Sequence, residues 1–119
     1  MITADVARVV RESGVEAGMC NVFIRHTSAS LTINENADPT ARRDLEAFLD
    51  RIAPDGAADY RHTIEGPDDM PSHIKSSLTG VSLNIPVLRG ELALGTWQGI
   101  YLCEHRDQPS PRSVVVTVF

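Results

Sequence analysis

The chain has 119 residues and a mass of 13.0 kDa, with 16 acidic against 11 basic side chains and a formal net charge of −5. That length supports one hydrophobic core, and 42% hydrophobic with 23% charged residues excludes disordered and fibrous classes. No apolar run reaches membrane-spanning length, the first residues MITADVARVV hold no apolar signal core, and the acidic balance disfavours nucleic acid and anionic membranes as partners. Two cysteines, Cys20 and Cys103, are too few for a disulfide framework and suit a reducing, cytoplasmic compartment as free thiols.

In chain order, residues 3–13 read as a short helix with Thr3 as its cap, Val6, Val9 and Val10 as an apolar stripe, and Gly14 as its stop. MCNVFIRH, residues 19–26, is apolar and β-branched enough for a buried strand. In HTSASLTI the residues His26, Ser28, Ser30 and Thr32 alternate with Thr27, Ala29, Leu31 and Ile33, which predicts a strand with one polar and one apolar face. Asp38 caps the clearest helix, Pro39 takes its first position, and Ala41, Leu45, Phe48, Leu49 and Ile52 share one face. Residues 53–68 hold repeated Gly and Pro breaks and no period, which predicts a long surface loop of the kind that carries function. A brief helix follows over residues 70–80, with Asp69 near its start and Gly80 past its end. Four strands complete the chain, at 81–87, 91–94, 99–105 and 113–119, with a turn at Arg89 and Gly90. Strands dominate and three helices are interspersed without regular alternation, so the expected fold class is α+β: one compact domain over residues 1–119 with a mixed or antiparallel sheet core.

The candidate chemistry begins with three histidines. His26 ends an apolar strand, His62 sits in the long loop, and His73 lies in the first turn of a helix. Imidazoles are common ligands of first-row metals, and three of them with one open position make a catalytic arrangement. Their spacing matches no metal motif, so any convergence must come from the fold. Glu35, between strand and helix, has no evident structural task and suits a general base or a metal carboxylate. Glu65, Asp68 and Asp69 crowd beside His73; capping and solvation account for the two aspartates. The helix start offers free N–H groups for a phosphate, with Lys75 nearby. Gly95 and Gly99 bracket a tight excursion in which Thr96, Trp97 and Gln98 could face a ligand. Glu104, in phase with Ile100 and Leu102, needs a partner such as Arg106, Arg112 or a histidine. Phosphate-loop, dinucleotide, serine-hydrolase and C-x-x-C motifs are absent.

Three blocks, HTSASLTINENADP, YRHTIEGPDDMPSHIKSSLTGVSLNIPV and GELALGTWQGIYLCEHR, together resemble the YjbQ family, also called secondary thiamine-phosphate synthase enzymes. The resemblance covers about residues 1–118 and includes S-x-x-G-x-S-x-x-I-P followed by L-x-L-G-T-W-Q. It implies a small cytoplasmic α+β protein that forms homotrimers. The family's recurrent polar positions match His26, Thr27, Asn34, Glu35, Asn36, Asp38, His62, Glu65, Gly66, His73, Lys75, Gly95, Thr96, Trp97, Gln98 and Glu104. On the resemblance, His26, His62 and His73 gather in a pocket holding a metal or an anion. Asn34, Asn36, Lys75, Thr96, Trp97 and Gln98 would bind substrate, with Glu35, Glu104 and His73 catalytic. Family members usually begin with a further strand, so that strand is expected to be missing here. His105 stands where many relatives carry Phe and is left outside the site.

The implied activity, as a main or a side reaction, joins a hydroxymethylpyrimidine diphosphate to a thiazole phosphate, giving thiamine phosphate and pyrophosphate. Three histidines match zinc, manganese or iron better than magnesium, which prefers carboxylate oxygens. Two alternatives stand beside the transferase. One is a metal-dependent hydrolase of a small phosphorylated metabolite or carbonyl compound; the other is a non-catalytic trimer that binds such a metabolite.

Overall fold

In the computed structural model, which describes residues 1–119, the chain runs α1 (Thr3–Ser13), β1 (Ala17–Ile24), β2 (Ala29–Glu35), α2 (Pro39–Ile52), α3 (Asp69–Thr79), β3 (Ser82–Leu88), β4 (Glu91–Leu92), β5 (Gln98–Glu104) and β6 (Val114–Val118). All pairings are antiparallel, in a four-stranded sheet of order β4-β3-β1-β6 and a two-stranded sheet β2-β5. This is an α+β fold with three helices, as the interspersed pattern predicts.

Alternation along β1 sets the layers. Cys20, Val22 and Ile24 are buried and meet Ile85 and Val87 of β3, Val6 and Val10 of α1, Ala29 and Leu31 of β2, and Ile100 of β5. Helix α1 and the β2-β5 pair thus cover one face of the larger sheet. The other face is open and carries Phe23, Val115 and Pro86 around an Asn21 that hydrogen-bonds Asn84 and Ser82. Gly18 permits the chain's last residue to approach, because a Cβ there would fall 2.1 Å from the Phe119 carbonyl oxygen. Positive φ at Arg89 (54°) and Gly90 (75°) makes the two-residue turn between β3 and β4.

Several elements differ in detail from the pattern reading. Thr3 opens α1 but does not cap it; its hydroxyl oxygen instead accepts the Ile100 N–H at 2.9 Å and ties the helix to β5. Strand β1 stops before His26, whose ring accepts the Ser113 N–H at 2.7 Å. The two-faced reading of HTSASLTI fails at Ser30, which is as buried as Ala29 and Leu31 because helix α3 covers it and partners satisfy its hydroxyl. Asp38 does cap α2, accepting the Thr40 N–H at 2.9 Å. Of that helix's apolar face only Leu49 is buried, while Phe48 and Ile52 stay about half exposed. The loop over residues 53–68 lacks helix and strand, as expected.

The chain is spread out for its size. Its radius of gyration is 15.9 Å, against about 13.5 Å expected for a compact chain of this length. Its accessible area is 7399 Å², against about 6,300 Å² for a monomer of this mass. Leu31→Ala, at a fully buried site between the two sheets, should lower unfolding stability by about 2–5 kcal/mol in urea titration at unchanged m-value.

Candidate metal centre

Helix α3 begins on Asp69 and carries His73 one turn later, so both side chains lie on one face. Asp69 Oδ2 is 3.2 Å from His73 Nε2 and 2.8 Å from Nε2 of His62, which the 53–68 loop brings across. The two imidazole centroids are 5.3 Å apart, and the three donor atoms lie within 4.8 Å of one another. The Asp69 side chain is only 6% exposed, that of His73 28% and that of His62 56%. One donor is therefore fixed in the interior while the histidines face an opening.

Hydrogen counting at His73 restricts what this group holds. Its Nδ1 lies 2.8 Å from the Thr27 carbonyl oxygen, which can only accept, so Nδ1 carries a proton. In the neutral ring Nε2 then turns a lone pair toward the Asp69 carboxylate. Two electron-rich atoms at that separation require a proton or a cation between them. A neutral imidazole whose other nitrogen donates to a backbone carbonyl is the arrangement found behind metal-ligating histidines. Two imidazole nitrogens and one carboxylate oxygen suit zinc, iron or manganese, and offer too few oxygens for magnesium.

Arg106, just past β5, anchors the group. Its Nη1 donates to Asp69 Oδ1 at 2.6 Å, its Nε to Asp68 Oδ2 at 3.1 Å and its Nη2 to the Glu65 carbonyl at 2.8 Å. Strand end, loop and helix start meet at one guanidinium. The Asp107 N–H, chiefly, holds the Asp68 carboxyl below its usual range, with Arg106 adding to it against the effect of burial.

Of the residues singled out from sequence, His62 and His73 come together and His26 does not join them. The His26 Nε2 lone pair is taken by the Ser113 N–H, and Arg112 Nη1 lies 3.4 Å from Nδ1. Asp69 stands in the third place instead. Sequence reasoning assigned it to capping, although its four-residue step to His73 on one helix was the available signal. Arg106 carried no such signal. Glu104 finds its partner in Arg112, which pairs with both its oxygens, and it also accepts the Arg106 N–H at 3.0 Å. Burial pulls the Glu104 carboxyl upward, but these bonds outweigh it and hold the group below its ordinary value.

Glu35, Asn36, Thr96, Trp97 and Gln98 form a separate cluster. Glu35 accepts the Asp38 N–H, Asn36 donates to the carbonyls of Thr96 and Gln98, and Gln98 accepts the Gly95 N–H. Trp97 is 65% exposed. Glu35 pairs with Gln98 at one end of the β2-β5 ladder and Ala29 with Glu104 at the other. Six residues of strand separate those ends by about 20 Å. The cluster therefore lies well away from Arg106 and the histidines within one chain.

Between these ends, α2 stands off the β2-β5 pair and leaves a cleft of about 460 Å³ whose lining includes Asn34, Leu45, Leu49, Lys75, His105 and Arg106. That volume fits a small metabolite. Lys75, 10% exposed at its side chain, is not free in it: its ammonium donates to Asp50 at 2.6 Å. His105 borders the cleft and ends a chain of hydroxyl groups. Its Nε2 lies 2.8 Å from the Ser30 hydroxyl, which accepts from Thr79, whose Oγ1 also lies 2.8 Å from the Lys75 carbonyl. Burial, with Lys75 nearby, pushes the His105 ring down to about 4.

Comparison with known proteins agrees with the arrangement of elements. The sequence model of a family described as UPF0047 protein YjbQ-like matches residues 1–119. UPF0047 protein sll1880 of Synechocystis is 53% identical over 115 residues, spanning 97% of this chain and 78% of that protein. UPF0047 protein YjbQ of Salmonella typhimurium is 57% identical over 104 residues, spanning 87% and 75%. Among solved structures, an uncharacterised YjbQ/UPF0047 protein from Clostridium acetobutylicum superposes with a TM-score of 0.90 at 48% identity, over 99% of this chain and 88% of that one. A YbjQ-like protein of unknown function from Sulfolobus solfataricus gives 0.89 at 26% identity, over 98% and 83%.

His105 generates a pH prediction. Its folded value of about 4 lies below the roughly 6.5 of an unfolded histidine. The unfolded chain therefore gains its proton first as pH falls, so this contribution to stability is full above about 6.5 and is lost toward 4. Urea midpoints at pH 7 and pH 5 should fall less in His105→Phe than in the parent chain; equal falls would contradict the assignment.

Proposed function

The chain belongs to the YjbQ-like UPF0047 family, and on that footing we propose that it is a divalent-metal enzyme acting on a small phosphorylated metabolite. The reaction in view is a transfer of the thiamine-phosphate synthase kind, joining a pyrimidine diphosphate to a thiazole phosphate as pyrophosphate leaves. The observation that carries the reading is His73, flanked by acceptors at both ring nitrogens, with His62 aimed at the same Asp69 oxygen. His62, Asp69 and His73 would hold zinc, manganese or iron, and such a metal supplies positive charge that stabilises phosphate oxygens as they gain negative charge.

The chain's own residues would do the rest. The Thr27 carbonyl fixes the His73 ring, and the loop delivers His62 beside it. The cleft under α2 is the room for substrate, with Asn34 on its wall and Lys75 able to exchange Asp50 for a substrate phosphate. Glu104, committed to Arg112, keeps the end of β5 in place, whereas Glu35 is open to solvent and is the carboxylate suited to proton transfer. Its distance from the histidines calls for a second copy of the chain to supply it.

A homotrimer in the cytoplasm completes the reading. It is supported by the excess surface of the single chain, the open face of the larger sheet, the half-exposed Phe48 and Ile52, and two cysteines that are both free.

Untagged protein purified without chelators should carry about one zinc, manganese or iron per chain by plasma mass spectrometry, and His73→Ala should lose it. Metal-loaded protein given the two heterocyclic substrates should form thiamine phosphate, and the variant should not. Absence of metal from both samples would overturn the metal centre; turnover of model phosphoesters without condensation would replace the transferase by a hydrolase. Light scattering behind a sizing column should give three times the 13.0 kDa chain mass.

A further inference from the structure

Asp69 is the one interior donor of the metal group, and its two oxygens are in different situations. Oδ2 faces both imidazoles, at 2.8 and 3.2 Å. Oδ1 receives Arg106 Nη1 at 2.6 Å, a charge-assisted bond. The guanidinium cannot rotate away without loss, because its Nε is held by Asp68 and its Nη2 by the Glu65 carbonyl. Its fork is rigid, and these three bonds define its plane.

We propose that Arg106 is a positioning residue that makes Asp69 a one-oxygen ligand and so keeps a coordination position open for substrate. The inference rests on the metal reading above. A carboxylate free at both oxygens can chelate a metal bidentately, which with two imidazoles would fill four positions. With Oδ1 engaged by Arg106, the chain supplies three donor atoms, the number typical of catalytic rather than structural sites. Arg106 is also one of the residues that line the cleft under α2, whereas His62, Asp69 and His73 lie outside its lining. Arg106 touches neither metal nor reacting atoms in this role; it acts through Asp69.

A simpler role for Arg106 would be to strap the loop to the strand, and Asp68 separates the two. Asp68 takes the Arg106 Nε and the Asp107 N–H but contributes no atom to the metal group. Cobalt(II) is the probe, because its visible absorption weakens as coordination number rises from four. The full-length chain should bind cobalt with intense absorption. Arg106→Gln should bind it about 10–100-fold more weakly, with weaker absorption as Asp69 chelates through both oxygens. Asp68→Asn keeps an oxygen that can accept the Arg106 Nε–H and the Asp107 N–H, so it should change affinity less than about 3-fold and leave the spectrum alone.

Arg106→Lys keeps a charge near Oδ1 without the fork and should fall between parent and Gln; it carries the test if the Gln variant does not fold by circular dichroism. Failure of the parent chain to bind cobalt would overturn the metal reading itself. Binding by the parent with unchanged affinity and spectrum in the Arg106 variants would overturn this inference alone. An Asp68→Asn loss as large as that of Arg106→Gln would reduce Arg106 to a strap and overturn it too.

Discussion

A carboxylate with 6% of its surface exposed cannot be left without partners, and the region around Asp69 is organised by that requirement. Arg106 answers it directly from the end of β5, and a proton or cation shared with His73 from the next turn of α3 and with His62 from the loop completes the match. Each partner fixes a different segment of chain. Satisfying one buried charge thereby places a loop of little internal structure against a helix start and a strand end. The histidines meet as a consequence, although they are eleven residues apart in sequence.

The same logic separates the two ends of the β2-β5 pair. At one end Glu104 and Arg112 form a nearly closed ion pair that also holds the Ser28 carbonyl, while His26 is drawn off by the Ser113 amide. At the other end Glu35, Asn36 and Gln98 satisfy the backbone of a tight loop and leave Trp97 to solvent. Polar residues at both ends are thus engaged with backbone or with one another, and only one oxygen of Glu35 takes the Asp38 N–H. Between them the cleft under α2 remains because that helix buries only Leu49. That helix is held by little apolar contact, in a chain with more surface than its mass warrants.

Much of the fold was legible because it follows local rules. The apolar, β-branched run at residues 19–26, Asp38 followed by Pro39, and the Arg89-Gly90 pair each encode a strand, a helix start and a turn within a few residues. The site was legible only in part. His62 and His73 could be singled out by residue type, and Asp69 could have been by its four-residue step to His73. Its burial could not, because that depends on Arg106 arriving from a strand 37 residues on.

The sequence by itself determined an α+β chain with three helices, a long loop and a set of imidazoles and carboxylates of the types that ligate metals. Local propensity and periodicity need only neighbouring residues, so they survive without any knowledge of the rest. Tertiary structure alone decided which of those groups share a site. His26 went to a backbone amide, Asp69 took the place beside His62 and His73, and Lys75 went to Asp50, because desolvated charges and lone pairs are matched to partners by through-space distance rather than by position along the chain.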